Sequence, residues 1–297
     1  MILYYFFRAV EFILLLLPYS VRKAFFVLLA KLAHAIDKTH RLVVRQNLTF
    51  AYGDAADEAL IDDVTRYCYR NLLLNFLQVI ENRRMTPERM AGLVRFEHRD
   101  IVERARSEGR PVIFVSGHFG NWELGATAIA SMIMPTVSIH KKLNNPYFDA
   151  YLLASRSRLR MQMTEKRGAV KHLTRALKNG EAVSLMIDQN LHPRESLLVD
   201  FFGHTVTQTS APAFLARKYN AAVIPVFIHT DDEKHYVVRF EPELPVPHSD
   251  DAEADVVAAT QQQSDVMEKI VRAEPKFWFW CHRRWKSKHP EIYEARA

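Results

Sequence analysis

Cysteine is scarce. Cys68 and Cys281 are the only two, and they lie far apart. That excludes a disulfide framework and a four-cysteine zinc site, and it fits a reducing cytoplasmic environment. Glycine is also scarce, with nine residues in 297. No Pro/Gly/Ser-rich linker divides the chain, and no internal repeat is visible. No uninterrupted apolar run reaches the roughly 20 residues of a comfortable membrane span, so a polytopic transporter is excluded. Extreme charge is missing too: 40 Lys+Arg against 34 Asp+Glu leave a formal net charge of +6. The 48% hydrophobic and 25% charged fractions are ordinary for a globular protein. Disordered, collagenous and low-complexity classes are thereby ruled out. The length suffices for a real core, in one large domain or two small ones. The basic excess leans toward anionic partners: lipid headgroups, nucleic acid or an acidic carrier protein.

The strongest apolar patterning is N-terminal. Ile2 to Leu17 reads ILYYFFRAVEFILLLL and ends at Pro18. A second stretch, Val21 to Ile36, is broken by Arg22, Lys23, Lys31 and His34. Arg8 and Glu11, three apart, share a helix face and can pair. A secretory signal peptide is not expected, because Arg8 lies inside the run and Pro18-Tyr19-Ser20 is a poor cleavage site. An interfacial or anchoring helix, a full span and a buried core helix are the alternatives. Arg22 and Lys23 just after the run favour the first. The expectation is a membrane-associating anchor over residues 1–36, followed by one domain over residues 37–297.

Leu42 to Ala51 and Ala59 to Ile80 read as helices. Asn71, Asn75 and Gln78 fall on one face of the second, where a solvated surface is expected ahead of a functional one. From Arg110 the pattern changes. Pro111 to Val115 is a short, β-rich apolar run, as expected of a buried strand. Further strands are expected at Thr136 to Ile139, Ala182 to Ile187, Ala222 to Ile228 and Tyr236 to Glu241. Helices are expected at Trp122 to Met132, Pro146 to Arg160, Val170 to Lys178, Ala211 to Tyr219 and Ala252 to Arg272. This alternation predicts an α/β fold with a central sheet flanked by helices.

The segment with chemical content is Ser116-Gly117-His118-Phe119-Gly120-Asn121-Trp122-Glu123. A strand delivers His118 at its C-terminal end, where sites in open α/β sheets lie. Gly117 and Gly120 would let a substrate approach the backbone. Glu123, in the first turn of the next helix, could fold back on the imidazole, fix its tautomer and leave the other nitrogen as a general base. The hydroxyl to be activated would then belong to the substrate. Two ligands at this spacing lack a third for a metal.

His118-x4-Glu123 within SGHFGNWE resembles the signature of the bacterial lipid A biosynthesis acyltransferases, the late lauroyl and myristoyl type. These fall within the glycerolipid acyltransferase superfamily, which commonly has His-x4-Asp where the lipid A branch has Glu. The resemblance continues through Lys141-Lys142-Leu143-Asn144-Asn145-Pro146, the paired arginines of Arg156-Ser157-Arg158, and Arg167-Gly168-Ala169. It runs on through Ile187-Asp188-Gln189-Asn190, Val199-Asp200-Phe201-Phe202-Gly203 and Trp280-Cys281-His282-Arg283-Arg284-Trp285-Lys286. It covers roughly residues 1 to 290. At Arg160-Met161 the sequence departs from the glycine that many relatives carry.

The resemblance implies a single glycerolipid-acyltransferase-like domain. It implies transfer of a fatty acyl chain to a hydroxyl of a lipid A precursor, at the cytoplasmic face of a bacterial inner membrane. Acyl carrier protein is the expected co-substrate, with acyl-CoA as the alternative donor; no metal or other cofactor is implied. Another glycolipid or a lysophospholipid is the alternative acceptor. His118 is the expected base and Glu123 its orienting carboxylate. Arg156, Arg158 or amides near Gly117 and Gly120 are expected at the oxyanion. Lys141, Lys142, Arg156 and Arg158 equally suit acceptor phosphates. Gly117, Asn121 and Asp188 complete the expected binding set, Asp188 by positioning the arginines or the acceptor. The tail from Phe277 to Lys286, aromatic then basic, suits either an anionic bilayer interface or packing of its tryptophans onto the domain with the arginines holding carboxylates; nucleic acid is discounted for want of a binding motif.

Overall fold

The structure, a computed structural model, describes residues 1–294. Four helices come first: α1 (Ile2–Leu16), α2 (Tyr19–Ile36), α3 (Lys38–Tyr52) and α4 (Glu58–Asn82). Pro18 separates α1 from α2, and Asp37 caps α3 through the His40 amide. Next come α5 (Pro87–Leu93), β1 (Val94–Glu97), α6 (Arg99–Ser107), β2 (Val112–Ser116) and α7 (Trp122–Met132). They are followed by β3 (Thr136–His140), α8 (Pro146–Arg156), β4 (Met161–Glu165), α9 (Ala169–Lys178) and β5 (Ala182–Met186). A hairpin of β6 (Leu197–Phe201) and β7 (His204–Gln208) precedes α10 (Ala211–Tyr219), β8 (Ala222–His229), β9 (Tyr236–Phe240) and α11 (Ala252–Ala273). The expected helix over Pro146 to Arg160 stops at Arg156, because Leu159 and Arg160 take positive φ and the chain turns directly into β4.

Seven strands form one sheet in the order β1-β9-β8-β2-β5-β3-β4. Neighbours run parallel except β8 and β9. Strand β2 lies centrally and is buried on both faces, which explains its unbroken apolar sequence. Ile113 and Val115 enter one core, with α3, α4, α9, α10 and α11. Val112 and Phe114 enter the other, with α5, α6 and α7. The mixed α/β class is as expected.

The expected N-terminal membrane anchor is overturned. No helix among the described residues is long and apolar enough to cross a membrane. Helix α1 rises only about 22 Å against the roughly 30 Å of a hydrocarbon core, and α2 carries Arg22, Lys23, Lys31 and His34. Both helices instead pack on the rest of the protein. Leu14, Phe26, Leu74, Leu77 and Ile80 form a cluster among α1, α2 and α4. Ionic groups fasten it. Arg22 Nε donates to Glu81 at 2.7 Å, and Arg89 binds the other Glu81 oxygen. Glu11 pairs with Arg8 at 2.8 Å and accepts from the Tyr151 hydroxyl of α8 at 2.6 Å.

The polar face of α4 is also buried, contrary to expectation. Asn71, Asn75, Gln78, Glu81 and Asn82 are all nearly inaccessible. Asn71 and Asn75 both donate to the carbonyl of Gly120, at 2.9 and 3.0 Å. Gln78 donates to Asn82, which reaches Thr127 of α7. The stripe meets the backbone of the loop after β2 and satisfies groups that water cannot reach.

Removing one member of a buried ion pair strands the other. Glu81→Gln should therefore cost about 3 kcal/mol of stability, measurable by urea denaturation. An unchanged midpoint would mean that the Arg22 contact does not hold α2 in place.

Candidate active site

Strands β2 and β5 are parallel neighbours, and Ser116 pairs in register with Met186. His118 and Asp188 each stand two residues beyond that pair, so both leave the sheet at the same height. They meet there. Asp188 Oδ1 lies 2.9 Å from His118 Nδ1, and Asp188 Oδ2 accepts the His118 backbone amide at 2.7 Å. The indole Nε1–H of Trp278 donates to the same Oδ2 at 3.0 Å. A buried carboxylate with three donors is well satisfied.

Burial alone would raise the Asp188 carboxyl, but the His118 charge and the hydrogen bonds from His118 and Trp278 outweigh it. They hold Asp188 well below the usual carboxylate range. Burial alone would likewise depress His118; attraction to Asp188 and its hydrogen bond reverse the sign and raise the imidazole above its ordinary value. The Asp188 carboxylate needs a proton on Nδ1, so the neutral ring is basic at Nε2. Nε2 has no protein partner among the described residues and is not shut off from solvent; the side chain is 21% exposed. Trp122 and Phe279 flank the ring at 5.2 and 6.3 Å between centroids.

Glu123 is placed differently from expectation. It makes no hydrogen bond to His118. Buried in the first turn of α7, its carboxylate takes both Arg156 Nε (3.0 Å) and Arg156 Nη2. The reason is positional: α7 directs this turn toward the end of α8, while β5 already supplies a carboxylate to the imidazole. Burial pulls the Arg156 guanidinium down, and the Glu123 charge and hydrogen bond more than compensate, raising it. Nη1 takes no part in either bond. Asn75 accepts the Glu123 amide at 3.3 Å.

The other expected residues scatter. Lys141 and Lys142 are exposed just past β3. Their loop is pinned by Asp149, which binds His140 Nε2 and accepts the Leu143 amide, both at 2.7 Å. Arg158 is exposed, and its one side-chain hydrogen bond among the described residues, to the Met85 carbonyl, is 3.5 Å long. Asn121 is buried and caps α7 by accepting the Leu124 amide at 3.1 Å, a local structural bond. The two glycines serve internal packing and leave no opening for substrate. A Cβ at Gly117 would strike Met267, and one at Gly120, at φ +56°, would strike the Ile228 carbonyl. The amides of His118, Phe119 and Gly120 are already bonded to Asp188, Gly117 O and Phe277 O.

The aromatic tail also faces inward. Trp278, Trp280 and Trp285 are fully buried, which removes them from any bilayer interface. The Phe279 amide donates to the His118 carbonyl at 2.9 Å. Arg284, equally buried and without an ion-pair contact among the described residues, donates to the carbonyls of Gln189 (2.9 Å) and Thr207 (2.6 Å). Burial pulls its guanidinium down to about 10. The tail thus braces the segment that carries Asp188. Sequence reading missed Trp278 as a partner of Asp188, since only long-range folding joins them. The signal that was available is weaker: both residues lie just past the ends of expected strands, but the register that pairs them appears only in the fold.

The sequence profile described as bacterial lipid A biosynthesis acyltransferase matches residues 1–287. The chain belongs to this family. Among curated relatives, the lipid A biosynthesis lauroyltransferase of Escherichia coli (strain K12) is 26% identical over 287 residues, covering 94% of this chain and 90% of that one. The lipid A biosynthesis myristoyltransferase of the same organism is 23% identical, covering 93% and 84%. Its palmitoleoyltransferase is 27% identical over 64% of this chain and 60% of its own. As a lipid A acyltransferase family member, the chain is an O-acyltransferase.

Trp278→Phe keeps the aromatic packing but removes one donor from the Asp188 carboxylate. It should cost about 2 kcal/mol and reduce turnover. Denaturation and a rate assay on one preparation check this; full stability and rate would remove Trp278 from the site.

Proposed function

We propose that this chain moves a fatty acyl chain from acyl carrier protein to a hydroxyl of a lipid A precursor, with His118 as general base oriented by Asp188. The observation that carries the proposal is the His118–Asp188 pair with Nε2 unbonded, in a member of the lipid A acyltransferase family.

Nε2 takes the proton of the acceptor hydroxyl as its oxygen attacks the thioester carbonyl. Asp188 stabilises the imidazolium that forms. A C–O bond is made, the C–S bond breaks, and the departing thiolate takes the proton back from His118. The developing oxyanion needs a donor in a partly desolvated site. Arg156 suits it: Glu123 fixes the guanidinium through two bonds and leaves Nη1 to donate. Glu123 is then a positioning residue, acting through Arg156. Lys141 and Lys142 offer unpaired cations on the same sheet edge to the acceptor phosphates. The positive net charge supports work against an anionic membrane surface at the cytoplasmic side.

His118→Ala should lower kcat by about 10³, assayed with acyl carrier thioester and a lipid A precursor. A folded variant with normal turnover would contradict the proposal. The base must be unprotonated, so activity falls as pH drops through the raised His118 pKa. The acidic limb of kcat/KM should therefore lie above the ordinary histidine value of about 6.5. Asp188→Asn should move that limb to lower pH and cut kcat by at least about 100-fold. A limb that stays in place would mean Asp188 does not set the histidine's proton affinity.

A further inference from the structure

Between the first turn of α3, the segment just past Asp188 and the C-terminal tail lies a cavity of about 400 Å³ that the mechanism does not use. It is bounded by Thr39 and His40 in the first turn of α3, by Asn190 two residues past Asp188, and by His282, Arg283 and Lys286. No residue lining it carries a carboxylate. Arg283 and Lys286 are exposed at its rim, and neither makes an ion pair among the described residues; the Arg283 guanidinium lies 5.6 Å from the Tyr293 ring centroid. The carboxylate of Asp37, which caps α3, is engaged by His40 at 2.7 Å.

The wall of this cavity is built, not loose. Asn47 holds the carbonyls of Trp280 and His282 at 2.7 and 2.8 Å, fixing the tail against α3. The Asn190 amide donates to His282 Nε2 at 2.7 Å, and Ser287 N–H donates to the Asn190 side chain at 3.0 Å. With Nε2 accepting, the neutral His282 ring carries its proton on Nδ1, for which no acceptor occurs among the described residues. Burial pulls His282 down to about 4, so it stays a neutral donor at physiological pH. Two unpaired cations and a neutral N–H, with no acid in the lining, form a recognition set for an anion with several oxygens.

We propose that this cavity, lined by none of His118, Asp188, Lys141 and Lys142, binds a phosphate ester of one of the two substrates. The proposal rests on the acyl-transfer reading above, in which both substrates carry phosphate: the acceptor on its sugars, the donor in the arm that bears the thioester. The tail then serves twice, bracing Asp188 with its buried side and gripping phosphate with its exposed one.

The test is the exposed double variant Arg283→Gln/Lys286→Gln, with its melting temperature confirming an intact fold. KM for one substrate should rise about tenfold while kcat stays within about twofold. If the acceptor is the source, the rise disappears with acceptor stripped of its phosphates. If the donor is the source, it disappears with an acyl-pantetheine thioester that lacks the phosphate. KM values unchanged for both substrates, or a rise that persists with both phosphate-free substrates, would overturn the site. Inorganic pyrophosphate gives a readout independent of turnover. It should shift the His282 imidazole NMR signals in the native chain and leave them in place in the double variant; no shift in the native chain would also overturn it. A native chain that binds pyrophosphate yet acylates no lipid A precursor would instead contradict the proposed function and leave the site standing.

Discussion

One buried carboxylate organises the catalytic end of this molecule. Asp188 stands just past the C-terminal end of the inner strand β5 with almost no solvent contact, where an unpaired charge would be very costly. It is kept ionised by three donors from two distant parts of the chain: the amide and ring of His118, and the indole of Trp278. Each partner needs the others. The carboxylate sets the imidazole tautomer, the imidazole offsets the carboxylate's burial, and the indole ties the C-terminal tail to both. Arg284 extends this bracing by holding Gln189 and Thr207 without any acid of its own.

A second polar layer holds the other side of the site. Helix α4 presents Asn71, Asn75, Gln78, Glu81 and Asn82 along one buried stripe. Its amides take the Gly120 carbonyl and the Glu123 amide, so the loop after β2 is fixed from the helix side as the tail fixes it from the sheet side. Farther along the same helix, Glu81 holds Arg22 and thereby α2. The N-terminal helices are thus continuous with the support of the site. Such buried networks are rigid when every member is satisfied, and they fix a single arrangement of the groups they hold.

Much of the fold was legible in the sequence. Strands β2, β3, β5, β8 and β9 and helices α4, α7 and α10 follow from apolar runs and helical periods. Strand β4 did not, because Met161-Gln162-Met163-Thr164-Glu165 is polar and lies at the sheet edge, where burial imposes no pattern. His118 could be singled out from its place between strand and helix. Its true partner could not be read from spacing along one segment, because the pairing is set by register between β2 and β5. Proximity in sequence favoured Glu123; the fold spends that carboxylate on Arg156. Composition misled at the N-terminus, where an apolar run looks like a membrane anchor, and left the aromatic, basic tail open between a bilayer interface and packing onto the domain; buried ion pairs and three inward tryptophans depend on tertiary neighbours that no local pattern reveals.

The most direct measurement is the ¹⁵N NMR spectrum of the His118 imidazole in the native chain, in Asp188→Asn and in Glu123→Gln. If Asp188 orients the ring, the native chain shows the Nδ1–H form with a strongly deshielded ring proton, Glu123→Gln preserves it, and Asp188→Asn loses it. Loss of that signature in Glu123→Gln with its retention in Asp188→Asn would return the orienting role to Glu123 and contradict the account.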